Sequence, residues 1–438
     1  MTDRPPPLVR LPDGTVKQVN AVTGTVVWTV PGRAHRPLAV PDRAPQPVDH
    51  AADGAHCAFC PQRYLETPPE KSRLVRGPDG VTQVLEGVPA ERVFDTLAEL
   101  RRVPNLFEIL SVDYWRANHG YEVPADVRAR ADRYVATPRG REHVLAILRR
   151  RLASQDVSDA QWAAVPEDAW LAHAVDLFAG THDVVIARRH FADDAETDDR
   201  LAGSGTLTPA EHADYLAFTV AAMRSLYEDQ PAARYVAAFQ NWLRPAGASF
   251  DHLHKQLVAI DEHGPQMDRV LARLREDPRV YVGVVDHAAA QRLVVAENEH
   301  AVAVAGVGHR YPSVEVYSTS HHQLPWEHRP AELRAMSDLL HAVHAATGVA
   351  VPTNEEWHHR PPAADEGLPW HVVVKWRTSV LAGFEGGTKI NVNTLEPAAV
   401  RDRLVGDLWR LREVGAVAAD IRIGEECSHA PALLRYAR

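Results

Sequence analysis

Residues 247–257 read GASFDHLHKQL. Successive side chains on a β-strand point to opposite faces, so His252, His254 and Gln256 are expected to project together while Leu253, Lys255 and Leu257 take the other side. Two imidazoles and an amide on one face make a poor core and a good reaction centre. The flanking sequence extends the pattern. HDVVIA (182–187) reads as a strand, Thr208-Pro-Ala-Glu211 has the spacing of a capping box that opens a helix, and RYVAAFQNWL (234–243) leads into the histidines. The same order returns later. SVEVYSTSHH (313–322) reads as a strand, RPAELRAMSDLLHAVHAATG (329–348) as an amphipathic helix, and PWHVVVKWRTS (369–379) as a strand with a histidine near its start. A strand, a long helix and a His-bearing strand, met twice, predict a duplicated α+β unit.

Elsewhere, TVKQVNAVTGTVVWTV (15–30) alternates like a β-hairpin with a Thr-Gly turn, and RLVVAENEHAVAVAG (292–306) reads as further strand. Residues from about 109 to 178 carry apolar side chains at helical spacing, in PADVRARADRYVA and GREHVLAILRRRLASQ. The chain has 438 residues, 45% hydrophobic and 24% charged, which places it among globular proteins of about two to three domains. A formal net charge of −10 argues against a general nucleic-acid binder. No apolar run reaches the roughly 18 residues of a membrane span. The start, MTDRPPPLVRLPDG, has no apolar signal core, and three cysteines make no disulfide framework, so a cytoplasmic location is expected.

The histidine strand has a chemical logic. Imidazole is nucleophilic and largely neutral near pH 7, because its unperturbed pKa is about 6.5. Its attack on a phosphoryl group gives a labile phosphoramidate and splits one hard transfer into two easier ones. His254, the central member, is the expected nucleophile, with His252 anchoring the strand and Gln256 donating to a phosphate oxygen as charge builds there. Cys57 and Cys60, in CAFCPQRYLETPPE (57–70), have the spacing of half a tetrahedral zinc site, which needs two further ligands. His252 and His190 are candidates, and His56, Glu70 and His182 are rivals.

At these residues the chain resembles the galactose-1-phosphate uridylyltransferases, a duplicated branch of the histidine-triad superfamily. The resemblance runs in order through most of the chain. It takes in NAVTGTVVWTVPGRAHRP (20–37), the cysteine loop, RRVPNLFEI (101–109), HDVVIARRH (182–190) and FQNWLRPAGASFDHLHKQ (239–256). It continues through HRYPSVEVYSTSHH (309–322) and HVVVKWRTSVLAGFEGGTKINVNTLEP (371–397). Its most specific parts are the His-x-His-x-Gln segment, the cysteine loop and the Ala-Gly-Phe-Glu segment.

The resemblance implies an α+β fold of two tandem histidine-triad-like halves with antiparallel sheets and packed helices. Residues 1–275 would carry zinc and nucleophile and residues 276–438 the sugar-phosphate side, with a helical insertion at about 109–175. By resemblance His254 accepts a nucleoside monophosphate and Ser249 and Gln256 hold its phosphate. Arg33, Arg36, Asn105, Phe107 and Asn241 fall on nucleotide-site positions. Cys57, Cys60, His190 and His252 fall on the ligands of a Zn(2+) cofactor, and Glu385 and Asn391 where the second half contacts the sugar phosphate. Four features depart from the pattern. HDVVIARRH is one residue short, Pro369 replaces one histidine of a second metal site that His371 and His358 would otherwise serve, Phe384 replaces a tyrosine, and the insertion is long. Connections over about fifteen residues usually carry function or an interface.

The expected activity is ping-pong transfer of a nucleoside monophosphate from a nucleotide sugar to a sugar 1-phosphate, with UDP-glucose and galactose 1-phosphate as the leading pair. A phosphorylase using inorganic phosphate is the alternative, and a zinc-stabilised nucleotide-binding protein without turnover the third reading. Expected partners are the nucleotide sugar and the sugar phosphate, with a second copy of the chain as a candidate and neither nucleic acid nor membrane.

Overall fold

The computed structural model describes residues 6–32, 44–379, 382–428 and 434–437. The expected hairpin is present within a meander of β1 (Leu8–Arg10), β2 (Val16–Val19) and β3 (Val26–Thr29). The first half then supplies β4 (Ser72–Arg76), β5 (Thr82–Glu86) and β6 (Ala98–Pro104). The helical insertion follows as α1 (Val112–His119), α2 (Ala125–Val135), α3 (Pro138–Ala153), α4 (Asp159–Ala163), α5 (Glu167–Leu171) and α6 (Asp176–Ala179). After it come β7 (His182–Ala187), α7 (Pro209–Asp229), β8 (Tyr235–Trp242) and β9 (His254–Ile260). The capping box is made as the sequence predicts: the Thr208 hydroxyl accepts from Glu211 N–H while the Glu211 carboxylate accepts from Thr208 N–H.

The second half runs through α8 (Gly264–Glu276), α9 (Val280–Ala290), β10 (Val294–Glu297), β11 (Ala301–Ala305) and β12 (Ser313–Ser318). It continues with α10 (Pro330–Thr347), β13 (Thr353–His358) and β14 (His371–Trp376). It ends in α11 (Gly383–Thr388), β15 (Ile390–Asn393), α12 (Pro397–Glu413) and β16 (Arg422–Ile423). The boundary expected at 275/276 falls in the last turn of α8.

One sheet joins both halves, in the order β16-β10-β11-β12-β14-β13-β8-β9-β7-β6-β4-β5, and all its pairings are antiparallel. Read outward from the β8–β13 seam, β8-β9-β7-β6-β4 and β13-β14-β12-β11-β10 follow the same chain-order rule, and each half sends one long helix, α7 or α10, back to the strand at the seam. The duplicated α+β plan is thus written into the sheet. The reverse face, against α7, α10 and α12, holds the main apolar core, including Leu257, Tyr215, Met223, Val316, Leu339 and Leu404. The insertion builds a smaller core of its own around Tyr134, Ile147, Leu177 and Phe178. It docks on the end of the cysteine loop, where His143 Nε2 meets Thr67 O at 2.9 Å and Arg150 donates to Glu66 O at 2.7 Å.

The meander forms a separate sheet in the order β1-β2-β3-β15, the last pair parallel. It docks on the turn between β11 and β12. Gly308 sits there at φ +73°, and a Cβ would stand 2.1 Å from Asn20 N, so only glycine admits this approach.

Candidate functional site

Three loop ends meet beside β9. The cysteine turn closes through Cys60 N–H on Cys57 O at 3.0 Å, His190 follows β7, and His252 stands just ahead of β9. Cys57 Sγ lies 3.4 Å from His252 Nδ1 and 3.8 Å from Cys60 Sγ. Cys60 Sγ lies 3.7 Å from His190 Nδ1 and 3.8 Å from His252 Nδ1, and all four donor atoms fall within 4.8 Å of one another. A tetrahedron with Zn–S bonds of about 2.3 Å has edges of about 3.8 Å, so the donor set fits a zinc ion. His252 gives its Nε2 proton to Ala187 O at 2.7 Å, which turns the Nδ1 lone pair toward the cysteines. The hydrogen bond between the two thiols, helped by His190 and His252, holds Cys60 well below the usual thiol range and raises Cys57. The rivals for this site are engaged elsewhere. His56 faces Asp53 at 3.3 Å, Glu70 takes Arg73 at 2.5 Å and Arg101 at 2.9 Å, and His182 lies beside Gln256.

The strand begins at His254, so the one-face pattern holds for His254 and Gln256 while His252 turns into the cysteine cluster. The two histidines are nevertheless coupled. His254 donates Nδ1–H to His252 O at 2.7 Å, which fixes its tautomer and leaves the lone pair on Nε2. Burial lowers the His254 pKa to about 4, so the ring is neutral at physiological pH. Phe59, from the cysteine turn, packs against it with ring centroids 5.2 Å apart. A neutral imidazole of fixed tautomer, held by a backbone that the cluster itself anchors, is a prepared nucleophile.

Around it the expected residues take different places. Ser249 is exposed on the loop between β8 and β9, where Gly247 adopts φ +91°. Asn241 lies on β8, two residues beyond the Phe239–Gln256 pair, where the antiparallel register continued past that pair reaches His254, and its Oδ1 accepts from Asn354 Nδ2 at 2.7 Å. Asn105 reaches Gln256 Oε1 at 3.4 Å, and Phe107, two residues on, is 59% exposed and available to stack on a planar ring. Arg33 and Arg36 lie outside the described residues.

Glu385 and Asn391 do not join this group. The Gly-rich segment around Glu385 forms the short helix α11, whose start Glu385 caps by accepting Ala382 N–H at 3.2 Å. Asn391 Nδ2 bonds Val26 O at 3.3 Å in the four-stranded sheet. Asn393 of β15 touches His309 O at the β11–β12 turn, four strands from β9, or about 19 Å at ~4.8 Å per strand. Phe384, in place of a tyrosine, is exposed and faces Trp28 at 6.3 Å. His371 donates Nδ1–H to Pro369 O at 2.9 Å and stacks on His358, and among the described residues the Cys57 cluster is the one group of ligand spacing. Cys427 is buried, its thiol on Arg422 O at 3.4 Å.

Sequence reasoning passed over what lies behind the strand. Lys255 Nζ is 2.5 Å from Glu355 Oε1, both side chains 1% exposed, and Glu355 also takes His344 at 2.7 Å and Trp357 Nε1 at 2.6 Å. The only cue was a charged residue at a core-facing position of an otherwise apolar strand face.

A family model described as a domain of unknown function, DUF4921, matches residues 11–436. The chain belongs to that family. No curated protein matches it. Its fold is similar to that of an ADP-glucose phosphorylase from Arabidopsis thaliana with bound ADP-glucose, at a TM-score of 0.55 and 19% identity over 89% of this chain and 97% of that one. A GalT-like protein from the same plant gives a TM-score of 0.53 and 18% identity over 89% and 98%. The resemblance carried by the motifs therefore extends to the architecture of the DUF4921 chain. Among the described residues no helix is long and apolar enough to cross a membrane.

Proposed function

We propose that this DUF4921 protein is a nucleotidyltransferase that acts on nucleotide sugars through a nucleotidyl-histidine at His254. The observation that carries it is the fixed Nδ1–H tautomer of a neutral, buried His254, with Gln256 next on the same strand face. The Nε2 lone pair attacks the α-phosphorus and the bond to the bridging oxygen breaks, so the sugar 1-phosphate leaves with that electron pair. A phosphate oxygen of the acceptor then attacks the same phosphorus, and the pair of the N–P bond returns to Nε2. Gln256 and Ser249 hold the nucleotide phosphate, Asn241 shapes the site beside His254, and Asn105 and Phe107 line the nucleotide position, where the Phe107 ring stacks on the base. Cys57, Cys60, His190 and His252 would hold a zinc ion, and with all four ligands supplied by protein its role would be to steady the His252 end of the strand.

The first acceptor to consider is a sugar 1-phosphate, with UDP-glucose and galactose 1-phosphate as the leading pair by resemblance. Phosphorolysis by inorganic phosphate is the second reading. It is favoured by the placement of Glu385 on α11 and Asn391 on β15, beside the four-stranded sheet and apart from His254, and by the fold shared with a plant ADP-glucose phosphorylase. Incubation with UDP-, ADP- and GDP-sugars labelled with radioactive phosphorus at the α-position tests the proposal. The expected result is an acid-labile, base-stable protein adduct from one donor class, absent in His254→Ala. Equal labelling of His254→Ala and the parent would refute the assignment of the nucleophile.

A further inference from the structure

His182, the first residue of β7, is 2% exposed and belongs neither to the cysteine cluster nor to the histidine pair. Its ring is engaged at both nitrogens. The backbone N–H of Ile109 lies 3.3 Å from Nδ1 and can only donate, so Nδ1 carries the lone pair. The neutral ring then bears its proton on Nε2, which stands 3.0 Å from Gln256 Oε1. Burial lowers the His182 pKa and keeps a second proton off the ring.

Asn105 adds a second donor. Its Oδ1 accepts Phe107 N–H at 2.9 Å, which turns its NH2 toward the same place, 3.4 Å from Gln256 Oε1 and 3.0 Å from His182 Nε2. A protonated Nε2 accepts nothing from that NH2, so both donors converge on one acceptor, the Gln256 carbonyl oxygen. The two ends of a side-chain amide are nearly identical in shape, so packing alone does not choose its orientation; the polarity of its partners does. The register supplies the direction. Val184 pairs with Gln256 and His182 with Val258, so His182 stands on the side of Gln256 away from His254. With the carbonyl turned to His182, the NH2 faces His254.

We propose that His182 is a positioning residue: its Nε2–H holds the Gln256 carbonyl and so presents the Gln256 NH2 toward His254 on the same strand face. The use of that NH2, donation to phosphoryl oxygens as they gain charge, rests on the proposed function. The orientation itself does not, and the two are tested separately.

The orientation is read by nitrogen-15 NMR of the histidine rings in the intact, zinc-loaded protein. A His182 ring protonated on Nε2 and bare on Nδ1 supports the proposal, and the opposite tautomer overturns it whether or not the protein turns over. The consequence is read by single-turnover labelling of His254 from an α-labelled nucleotide sugar. His182→Ala and Gln256→Ala are each expected to slow labelling about tenfold, the loss of one hydrogen bond, and the double variant no more than Gln256→Ala. His182→Gln, whose amide can again donate to Gln256, is expected to recover most of the parental rate. Parental labelling by His182→Ala, or multiplying losses in the double variant, would overturn the proposal. A parent that takes no label from any donor would instead refute the proposed function, and the tautomer would still decide the role of His182.

Discussion

Glu355→Gln is expected to be among the most destabilising single changes in this protein, and its cost follows from where Lys255 lies. The ammonium and the carboxylate are each 1% exposed and 2.5 Å apart, on the reverse face of the strands that carry His254 and Asn354. Burial works against the Glu355 charge, and Lys255 and His344 together outweigh it, holding the carboxyl well below its ordinary 4.5. Replacing the carboxylate with an amide leaves the Lys255 charge buried with no anion to face it, only neutral groups such as Gln240 Oε1 at 3.1 Å and the Tyr215 ring at 4.9 Å. Breaking a buried pair in this way costs about 3–5 kcal/mol. In urea that corresponds to a midpoint lower by about 1 M or more at an unchanged slope, followed by tryptophan fluorescence at pH 7 with zinc held constant. Lys255→Met with Glu355→Leu removes both charges and should lose less than Glu355→Gln alone, because no charge is left uncompensated. The sign with pH is fixed as well. The folded pKa of Glu355 is depressed, so its contribution is fully present above about 4.5, is lost as pH falls below that, and the acid limb should flatten in Glu355→Gln. A loss under about 1 kcal/mol, or a double variant worse than the single, would show that the pair does not hold the seam between the halves.

Other outcomes follow from the same geometry. Elemental analysis should find about one zinc per chain, and Cys57→Ser should lower zinc content and melting temperature together; a stable, fully active, zinc-free parent would contradict the cluster's role. Because the nucleophile is the neutral ring and burial lowers the His254 pKa to about 4, the single-turnover labelling rate should stay level from about pH 8 to about pH 5 and fall only nearer 4. A fall centred near 6.5 would mean that the ring is far more hydrated than its 5% exposure implies. Glu385 caps α11 apart from His254, so Glu385→Gln should change efficiency little with either a sugar 1-phosphate or inorganic phosphate as acceptor, measured after loading His254; a loss of about tenfold to a hundredfold confined to the sugar 1-phosphate would place Glu385 at the sugar instead.

The β2–β3 hairpin, the capping box at Thr208, the long helices α7 and α10 and the strands around His254 were legible because each is a local pattern. Alternation, helical spacing and a Ser/Thr-x-x-Glu start depend on residues within a few positions of one another. The repeated order of these patterns carried the duplication, and the mirrored strand order about the β8–β13 seam agrees with it. The Cys57, Cys60, His190 and His252 set was legible only as spacing plus resemblance, with His56, Glu70 and His182 equally eligible by residue type. The insertion was visible as helix, but its own core and its docking on Thr67 and Glu66 were not.

By itself the sequence determined which residue types stand on each strand face and in what order the elements follow. Tertiary structure decided which of them meet. His252 reaches Cys57 across 195 residues, and the packing of the cysteine turn against the start of β9 brings them within 3.4 Å. His182, a rival metal ligand by residue type, became the partner of Gln256 because β7 and β9 pair in a register that sets Val184 opposite Gln256. Asn391 joined the four-stranded sheet, with Glu385 on α11 just ahead of it, because β15 pairs with β3, 364 residues earlier in the contact of Ile390 with Val26. Local pattern is fixed by backbone geometry over a few residues, whereas these meetings depend on which distant strands share hydrogen bonds, and no single segment carries that information.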